Sequence, residues 1–196
     1  MQNILKQKII FYFCKNICSM NYQKIQVFVL QQKSYLSKAR CEGFAEAASV
    51  CLANSEHQAP VLLTVEGDLQ AQFELEWQEI TEEINNSNQN TQRTVEEGAY
   101  CVAMLVVEEL TEFKAFKQSQ THSGVDYFLR KTITEDKKDF IEIRMEVSGI
   151  LKGTPAQIEQ RMKEKVQQSK QSDHLDMPAL IVVVEFSRPL VKIIKR

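Results

Sequence analysis

The chain has 196 residues, of which 43% are hydrophobic and 26% are charged, and its formal net charge is −2. This composition predicts a globular domain with a sizeable core and excludes a protein that binds nucleic acid through overall charge alone. The charge is uneven, because residues 1–110 hold 8 basic and 14 acidic residues, whereas residues 111–196 hold 16 and 12. The basic second half allows a polyanionic partner without requiring one.

The first 19 residues contain one apolar run, from Ile9 to Phe13, which is too short for a membrane span or a secretory signal. We therefore expect residues 1–19 to be an extension outside the fold, residues 20–196 to form a single domain, and no membrane association. A short segment that touches a membrane or docks on a partner is the alternative. Five scattered cysteines, with no second Cys or His pair to complete a zinc site, favour reduced thiols and a cytoplasmic protein.

The first half of the chain alternates between strand and helix patterns. The predicted elements are a strand over 22–30, a helix over 34–54, and a hairpin with strands over 61–66 and 69–80. Gly67 and Asp68 supply the turn of that hairpin, because both residue types tolerate the backbone angles of a tight turn. The Asn, Gln and Ser residues over 85–93 then indicate a loop.

The second half predicts a helix over 94–110, strands over 113–118, 125–130 and 140–150, a helix over 154–170 and a strand over 179–186. Thr94 and Thr154 each begin a capping-box pattern, in which a hydroxyl and a residue three positions later satisfy the first N–H groups of a helix. The nearly continuous apolar run over 179–186 is typical of a strand buried on both faces. We expect an α/β (α+β) fold with a mixed central sheet of about six or seven strands flanked by about three helices.

Two of these strands carry carboxylates among alternating apolar residues. In the second of them one face receives Ile141, Ile143, Met145 and Val147, and the other receives Glu142, Arg144, Glu146 and Ser148. If this strand pairs with the one before it as a hairpin, Asp126 and Glu146 lie on one face of adjacent strands. Two carboxylates on neighbouring strands are close enough to repel each other, and a cation bound between them removes the repulsion.

Several of these side chains have a second interpretation that involves no ligand. Asp126 and Glu146 also suit the solvated face of an antiparallel hairpin, or ion pairs with Arg130 or Arg144. In the helix before them, Glu97 suits the capping box and Glu96 a favourable position beside the helix dipole. Arg161 and Lys165, on the following helix, suit a solvated helix face.

The order helix, three strands, helix, strand over roughly residues 94–187 resembles the αβββαβ core of the restriction-endonuclease-like superfamily, the PD-(D/E)XK nucleases. In that superfamily an Asp opens the second strand of the core, and the third strand carries a (D/E)-x-K tripeptide. Here Asp126 in Gly124-Val-Asp126 matches the first position, and Glu146 in Glu146-Val-Ser148 matches the first residue of the tripeptide. The resemblance implies a metal-dependent nuclease or nucleic-acid-processing domain, and a place in a restriction or genome-conflict system.

The resemblance also implies a metal site. Asp126 and Glu146 would bind Mg²⁺ or Mn²⁺ together with the backbone carbonyl of Val147, and Glu96 or Glu97 would add a further acid from the helix. A bound ion of this kind polarises a phosphodiester and lowers the pKa of the water that attacks phosphorus.

The third residue of the tripeptide departs from the superfamily pattern, because Ser148 stands where a catalytic Lys is expected. A hydroxyl can hydrogen-bond a water molecule but carries no positive charge. The missing cation is then expected from Lys152, Arg161 or Lys165. Alternatively, the fold is retained without activity, and the domain serves as a protein-interaction or immunity-like partner.

The runs Gly124-Val-Asp-Tyr-Phe-Leu and Met145-Glu-Val-Ser-Gly also resemble a pattern found in uncharacterised bacterial proteins. If the chain is a member of that group, Ser148 belongs to the pattern of the group.

Overall fold

A computed structural model describes residues 22–120, 123–132 and 140–196 of the chain. The predicted extension over residues 1–19 lies outside the described residues. The described part contains one mixed sheet of eight strands and five α-helices. The prediction of a mixed α/β architecture is therefore confirmed, whereas the predicted strand count of six or seven was too low. The C-terminal basic segment accounts for the difference, because it forms a full strand in the interior of the sheet.

The strands are β1 (Gln23–Gln26), β2 (Val61–Gly67), β3 (Ala71–Glu76), β4 (Lys114–Gln118), β5 (Tyr127–Thr132), β6 (Phe140–Ile150), β7 (Ala179–Glu185) and β8 (Leu190–Lys195). The α-helices are α1 (Leu30–Lys33), α2 (Lys38–Asn54), α3 (Glu82–Ser87), α4 (Thr91–Thr111) and α5 (Pro155–Ser169), and 3-10 turns span Val27–Val29 and Lys170–Leu175. The strand order is β1-β3-β2-β8-β7-β6-β5-β4. Strands β4, β5 and β6 form an antiparallel meander, and β7 lies parallel to β6 after the crossover through α5.

The two faces of the sheet are covered by different helices. Helices α2 and α4 pack together over one face, where Ile143, Met145 and Val147 of β6 join the large core. Helix α5 packs on β6 and β7 from the other side, where Ile158 and Met162 contact a smaller core that includes alternate residues of β7. Every residue of β7 is buried, as the apolar run predicts. The alternating side chains of β6 that do not join the large core therefore point toward α5.

The start of α4 differs from the prediction. Asn90 is the N-cap, and its side chain accepts a hydrogen bond from the N–H of Arg93 at 3.1 Å. Thr94 lies inside the first turn, where its hydroxyl contacts the backbone carbonyls of Asn88 and Asn90. The predicted capping box at Thr94 is therefore wrong, because an equally good N-cap residue stands four positions earlier.

The start of α5 agrees with the prediction. The Thr154 hydroxyl accepts from the N–H of Gln157 at 3.3 Å, and the Gln157 side chain accepts from the N–H of Thr154 at 2.8 Å. Pro155 occupies the first turn, where its missing N–H costs nothing. Both halves of the capping box are present, so the entry of the chain into α5 is fixed at one end of β6.

Helices α2 and α4 approach closely at Gly98. A Cβ atom built on Gly98 would lie 3.0 Å from the backbone of Ala48, which leaves no room for a methyl group. By contrast, a Cβ atom on Gly43 of α2 would meet nothing within 4 Å. In the part of the chain that the structure describes, no helix combines the length and the apolar character that crossing a bilayer requires.

Candidate functional site

Asp126 lies where β6 parts from β5. The last paired residues of the two strands are Tyr127 and Met145, and the N–H of Asp126 donates to the carbonyl of Met145 at 2.9 Å. Beyond that point β6 continues beside β7, so the N–H of Val147 has no partner on β5. Asp126 Oδ2 accepts this N–H at 2.7 Å, and the carboxylate thereby takes the place of a strand partner. Its position relative to Glu146 is fixed by the backbone of the hairpin.

Glu146 is buried, with 2% of its side chain exposed. Lys165 Nζ of α5 donates to its Oε1 at 2.7 Å. Its Oε2 is also buried and has no hydrogen-bond partner among the described residues. The interpretation of Glu146 as a solvated residue on a wet hairpin face is therefore wrong, because α5 covers this face of β6.

Arg144, one of the two arginines proposed as ion-pair partners of the carboxylates, has a different role. Its guanidinium donates to the backbone carbonyls of Ser169 and Met177, to the hydroxyl of Ser172 and to the carboxylate of Asp173. It therefore joins β6 to the 3-10 turn after α5. The cation that contacts Glu146 is Lys165.

The pKa values of the two carboxyl groups are raised together. Burial and the nearby Asp126 together raise the pKa of Glu146 to about 7, against the opposing effect of the Lys165 ammonium. Burial likewise raises the pKa of Asp126, against the lowering effects of the Val147 N–H and of Lys165. The cause is the same for both groups, since a desolvated site with one lysine is a poor place for two negative charges. The site therefore favours an additional proton or an additional cation.

Ser148 faces the same helix as Glu146. Arg161 Nη1 of α5 donates to the Ser148 hydroxyl at 2.8 Å. Arg161 and Lys165 are four residues apart, so they lie on one face of α5 and contact alternate residues of β6. The interpretation as a solvated helix face is wrong for Lys165, whose side chain is 18% exposed and donates to the buried Glu146. Arg161 donates to the buried Ser148, but its side chain is 43% exposed and also pairs with Glu164.

The two acids of α4 lie in different surroundings. The Tyr100 hydroxyl is 2.8 Å from Glu96 Oε1 and 3.2 Å from Asp126 Oδ1, so it can donate to either carboxylate. Glu97 instead forms ion pairs with Arg40 and Arg93. The structure thus connects Glu96 to Asp126 through Tyr100 and gives Glu97 other partners.

Tyr100 was not predicted as a site residue. Its spacing of four residues from Glu96 was the available signal, because residues four apart share one face of a helix. Its burial raises the pKa of the phenol well above its ordinary value, and the two neighbouring carboxylates add to the effect. The hydroxyl therefore stays protonated and acts as a donor beside Asp126.

A cleft of about 340 Å³ opens beside these residues. Its lining combines Glu96 and Tyr100 of α4, Asp126, Lys165 of α5, and polar residues before β5, namely Gln118, Ser119, Gln120 and Ser123. Solvent and small ligands can therefore reach Asp126 and Lys165. Glu146 does not line the cleft, but it contacts Lys165, which does.

The described residues contain no group of three His, Cys, Asp or Glu side chains placed to hold a metal ion. The adjacent carboxylates of Asp126 and Glu146 nevertheless fit the small protein share of a Mg²⁺ shell, since this ion keeps several waters and binds one or two carboxylates plus substrate phosphate. Glu146 Oε2, which is buried without a hydrogen-bond partner among the described residues, is the donor atom most in need of a cation.

Comparisons of the chain with protein-family models, with curated proteins and with solved structures find no match. A fold by itself does not define an activity, so any functional assignment must come from the chemistry of the site. The features available for it are two adjacent carboxylates, two cations from one helix and an open cleft beside them.

Proposed function

We propose that the chain is a metal-dependent phosphodiesterase of the PD-(D/E)XK type that acts on nucleic acid, with Mg²⁺ or Mn²⁺ bound by Asp126 and Glu146. The observation that carries the proposal is the excess of buried negative charge. Two carboxylates with raised pKa values share one lysine, and one buried oxygen has no partner among the described residues. A purely structural ion pair needs only one carboxylate per lysine, whereas a second carboxylate is useful when a cation or a phosphate-bound ion enters.

Each side chain has a role that follows from its contacts. When held by Asp126 and Glu146, Mg²⁺ would supply a positive charge able to polarise a phosphate oxygen and to lower the pKa of a bound water. Asp126 is held in one orientation by the Val147 N–H, and the Tyr100 hydroxyl can donate either to it or to Glu96. Lys165 stands 2.7 Å from Glu146 at the wall of the cleft, where its ammonium can stabilise the charge that develops on phosphate. Lys165 thus supplies from α5 the cation that Ser148 lacks.

Arg161 is the second cation of the proposed site. Its hydrogen bond to Ser148 places a guanidinium beside the tripeptide position where the superfamily has its lysine. A guanidinium with its donors in a fixed fork suits phosphate oxygens. We assign to it the positioning of the substrate and to Lys165 the stabilisation of the developing charge. A restriction or genome-conflict system is the proposed setting of this activity.

A catalytically inactive domain that binds a protein partner is the second candidate. Lys165 already neutralises one carboxylate, and no cluster of three ligands exists in the described part of the chain. This candidate predicts that the carboxylates contribute to stability alone.

Metal-dependent cleavage of labelled single-stranded and duplex DNA and RNA tests the proposal. Lys165→Ala should lower the cleavage rate by about 100-fold, the typical effect of removing one group that stabilises developing charge. Lys163→Ala is the matched control, because Lys163 is an exposed lysine on the same helix. Ser148→Lys should raise the activity or leave it intact. Equal cleavage by Glu146→Ala would assign the signal to a contaminant, and no cleavage by any variant would favour the inactive domain.

Metal binding can be measured separately from activity. A ligand at ten times its dissociation constant stabilises the folded state by about 1.4 kcal/mol, which corresponds to a rise in Tm of roughly 3–6 °C for a chain of this size. We expect millimolar Mg²⁺ or Mn²⁺ to raise the Tm of the wild type and not that of Asp126→Ala. An unchanged Tm of the wild type would contradict the metal site.

A further inference from the structure

The outer half of the sheet carries an unusual set of side chains on the face that α5 leaves open. Helix α5 packs on β6 and β7, whereas β4 and β5 continue to the edge of the sheet beyond it. Each of three cations on this face lies over at least one aromatic ring. We define the aromatic–basic face as these cations and rings, with the ring of Tyr35 beside them: Lys114, Phe116, Lys117, Phe128, Arg130 and Phe140. None of the rings belongs to either buried core.

Arg130 is at the centre of this face. Its guanidinium carbon lies 4.9 Å from the ring centroid of Tyr35, 4.8 Å from that of Phe116 and 5.4 Å from that of Phe140. Lys117 Nζ lies 5.4 Å from the centroid of Phe128 in the same way. Arg130 and Lys117 therefore each form cation–π contacts with rings of this face.

Part of this face is exposed to solvent, whereas Phe116, Phe128 and Arg130 are half-buried. Tyr35 is 51% exposed and Phe140 is 46% exposed, although burial of a large ring is strongly favourable. None of the ion pairs among the described residues involves Lys117 or Arg130. The face therefore presents ring surface together with the charges of Lys117 and Arg130, whereas Lys114 pairs with Glu108 and Glu142 lies opposite Arg130 on β6.

The combination fits a single-stranded polynucleotide. Its bases can stack on exposed rings, and its phosphates can contact the intervening cations. In a duplex the faces of the bases are already stacked on one another, so the rings would have no partner. Lipid headgroups and acidic peptides offer negative charge but no regular series of flat aromatic groups.

The face is continuous with the candidate site. A groove of about 350 Å³ runs between Lys117, Phe128 and the 3-10 turn at Leu175. This groove and the cleft beside Asp126 share Gln118, Ser119, Gln120 and Ser123 as lining residues. A strand bound along the face can therefore reach the carboxylates without leaving the surface.

We propose that the aromatic–basic face binds single-stranded nucleic acid and leads it into the cleft at Asp126. The delivery of the strand to this cleft rests on the proposed function. Recognition uses stacking and phosphate contacts alone. Binding is therefore indifferent to base identity and to the 2′-hydroxyl, so DNA and RNA strands bind similarly.

Fluorescence anisotropy with the full chain in EDTA tests the binding. The probes are fluorescein-labelled dT15, rU15 and a 15-base-pair DNA duplex in 50 mM salt. We expect dT15 and rU15 to bind at least tenfold more tightly than the duplex. Phe140→Ala should weaken dT15 binding about 5- to 30-fold, since one stacked base contributes roughly 1–2 kcal/mol. Because Phe140 is half exposed, this variant keeps the fold intact.

A test variant and a matched control measure how much the charge of Lys117 contributes to binding. Lys117→Ala should weaken dT15 binding and reduce the slope of log K against log salt by about 1. Lys24→Ala removes the same charge from β1, at the opposite edge of the sheet, and should change binding less than twofold. Arg130→Lys keeps the charge but removes the planar group and should weaken binding as well.

The outcomes separate this inference from the proposed function. Glu146→Gln should bind dT15 like the wild type and fail to cleave. If the wild type cleaves, and Phe140→Ala and Lys117→Ala bind dT15 as tightly as the wild type does, the face has no role in binding. Binding without cleavage, lost in both face variants, would support the face and overturn the nuclease. A folded wild type that binds no single strand would overturn the inference and assign the face to a protein partner.

Discussion

Glu146→Gln should stabilise the protein at pH 8 in the absence of metal, although it removes one side of an ion pair. The change keeps the size of the side chain and an oxygen that can accept from Lys165. It removes one of the two carboxylate charges, so that Asp126 and Lys165 then form a neutral pair. Burial raises the pKa of both carboxyl groups, and the charge of Asp126 adds to the effect on Glu146, so the doubly ionised pair is disfavoured.

The pKa of Glu146 sets the magnitude. Its ordinary value is 4.5 and its value in the folded protein is about 7. Because the folded state holds this proton more tightly, its free energy of unfolding falls as the pH rises between these two values. At about 1.4 kcal/mol per pKa unit, the loss reaches roughly 3 kcal/mol above pH 7.

The variant avoids this loss of stability, but a weaker hydrogen bond offsets part of the benefit. A lysine donates a weaker hydrogen bond to an amide oxygen than to a carboxylate, and the difference is about 1 kcal/mol. The expected net stabilisation at pH 8 is therefore about 2 kcal/mol, or a rise in Tm of about 4–8 °C for a chain of this length. At pH 4.5 and below, the rise should disappear, because Glu146 is then protonated in both states.

Thermal unfolding of both proteins between pH 4.5 and pH 8 in EDTA measures this effect. The wild type should lose stability relative to the variant between pH 4.5 and about pH 7, and the difference should then stay constant up to pH 8. Glu142→Gln is the matched control, because it makes the same change on the same strand at a less buried position. Parallel pH profiles for the wild type and Glu146→Gln would refute the argument that the carboxylates carry excess charge.

Four further substitutions test the packing that positions the site. Gly98→Ala should lower the free energy of unfolding by about 1–3 kcal/mol because its methyl group meets the backbone of Ala48, whereas Gly43→Ala should raise it by roughly 0.5–1 kcal/mol, both measured by urea unfolding. Arg144→Met should cost about 3 kcal/mol in the same assay, since it removes the hydrogen bonds of the guanidinium to Ser169, Ser172, Asp173 and Met177. Thr154→Ala should cost about 1 kcal/mol through loss of the capping box, and circular dichroism should report the Tm shift.

The sequence predicted those elements whose local pattern and tertiary environment agree. The capping box at Thr154 and the fully buried strand β7 are examples, because each is decided by neighbours in the chain. The strand predicted over 22–30 is shorter in the structure, where β1 ends at Gln26 and a 3-10 turn follows. Val27 and Leu30 are buried there by α2 and α4, and this tertiary packing overrides their preference for a strand.

The candidate site was predictable in part. Alternation along β6 placed Glu146 and Ser148 on one face, and the spacing of four between Arg161 and Lys165 placed both on one face of α5. The sequence could not show that α5 lies on this face of β6, because that depends on the path of the chain between them. Burial by α5 is what turns a hairpin carboxylate into a group with a raised pKa.

The acids of α4 show the same limit. Glu96 and Glu97 are adjacent in the chain and differ by about 100° around a helix. Glu96 is therefore linked to Asp126 through the Tyr100 hydroxyl, whereas Glu97 pairs with Arg40. Only the rotation of α4 about its own axis distinguishes the two, and packing against α2 sets that rotation.

The hydrogen bond from Val147 to Asp126 gives the molecule a built-in spectroscopic reporter. A backbone N–H that donates to a carboxylate changes its proton and nitrogen chemical shifts when that carboxylate gains a proton or a ligand. The amide resonance of this one residue should therefore follow the ionisation of the carboxylate pair in a pH titration. It should also follow titration with a diamagnetic ion such as Mg²⁺, in the unmodified protein and without a substrate.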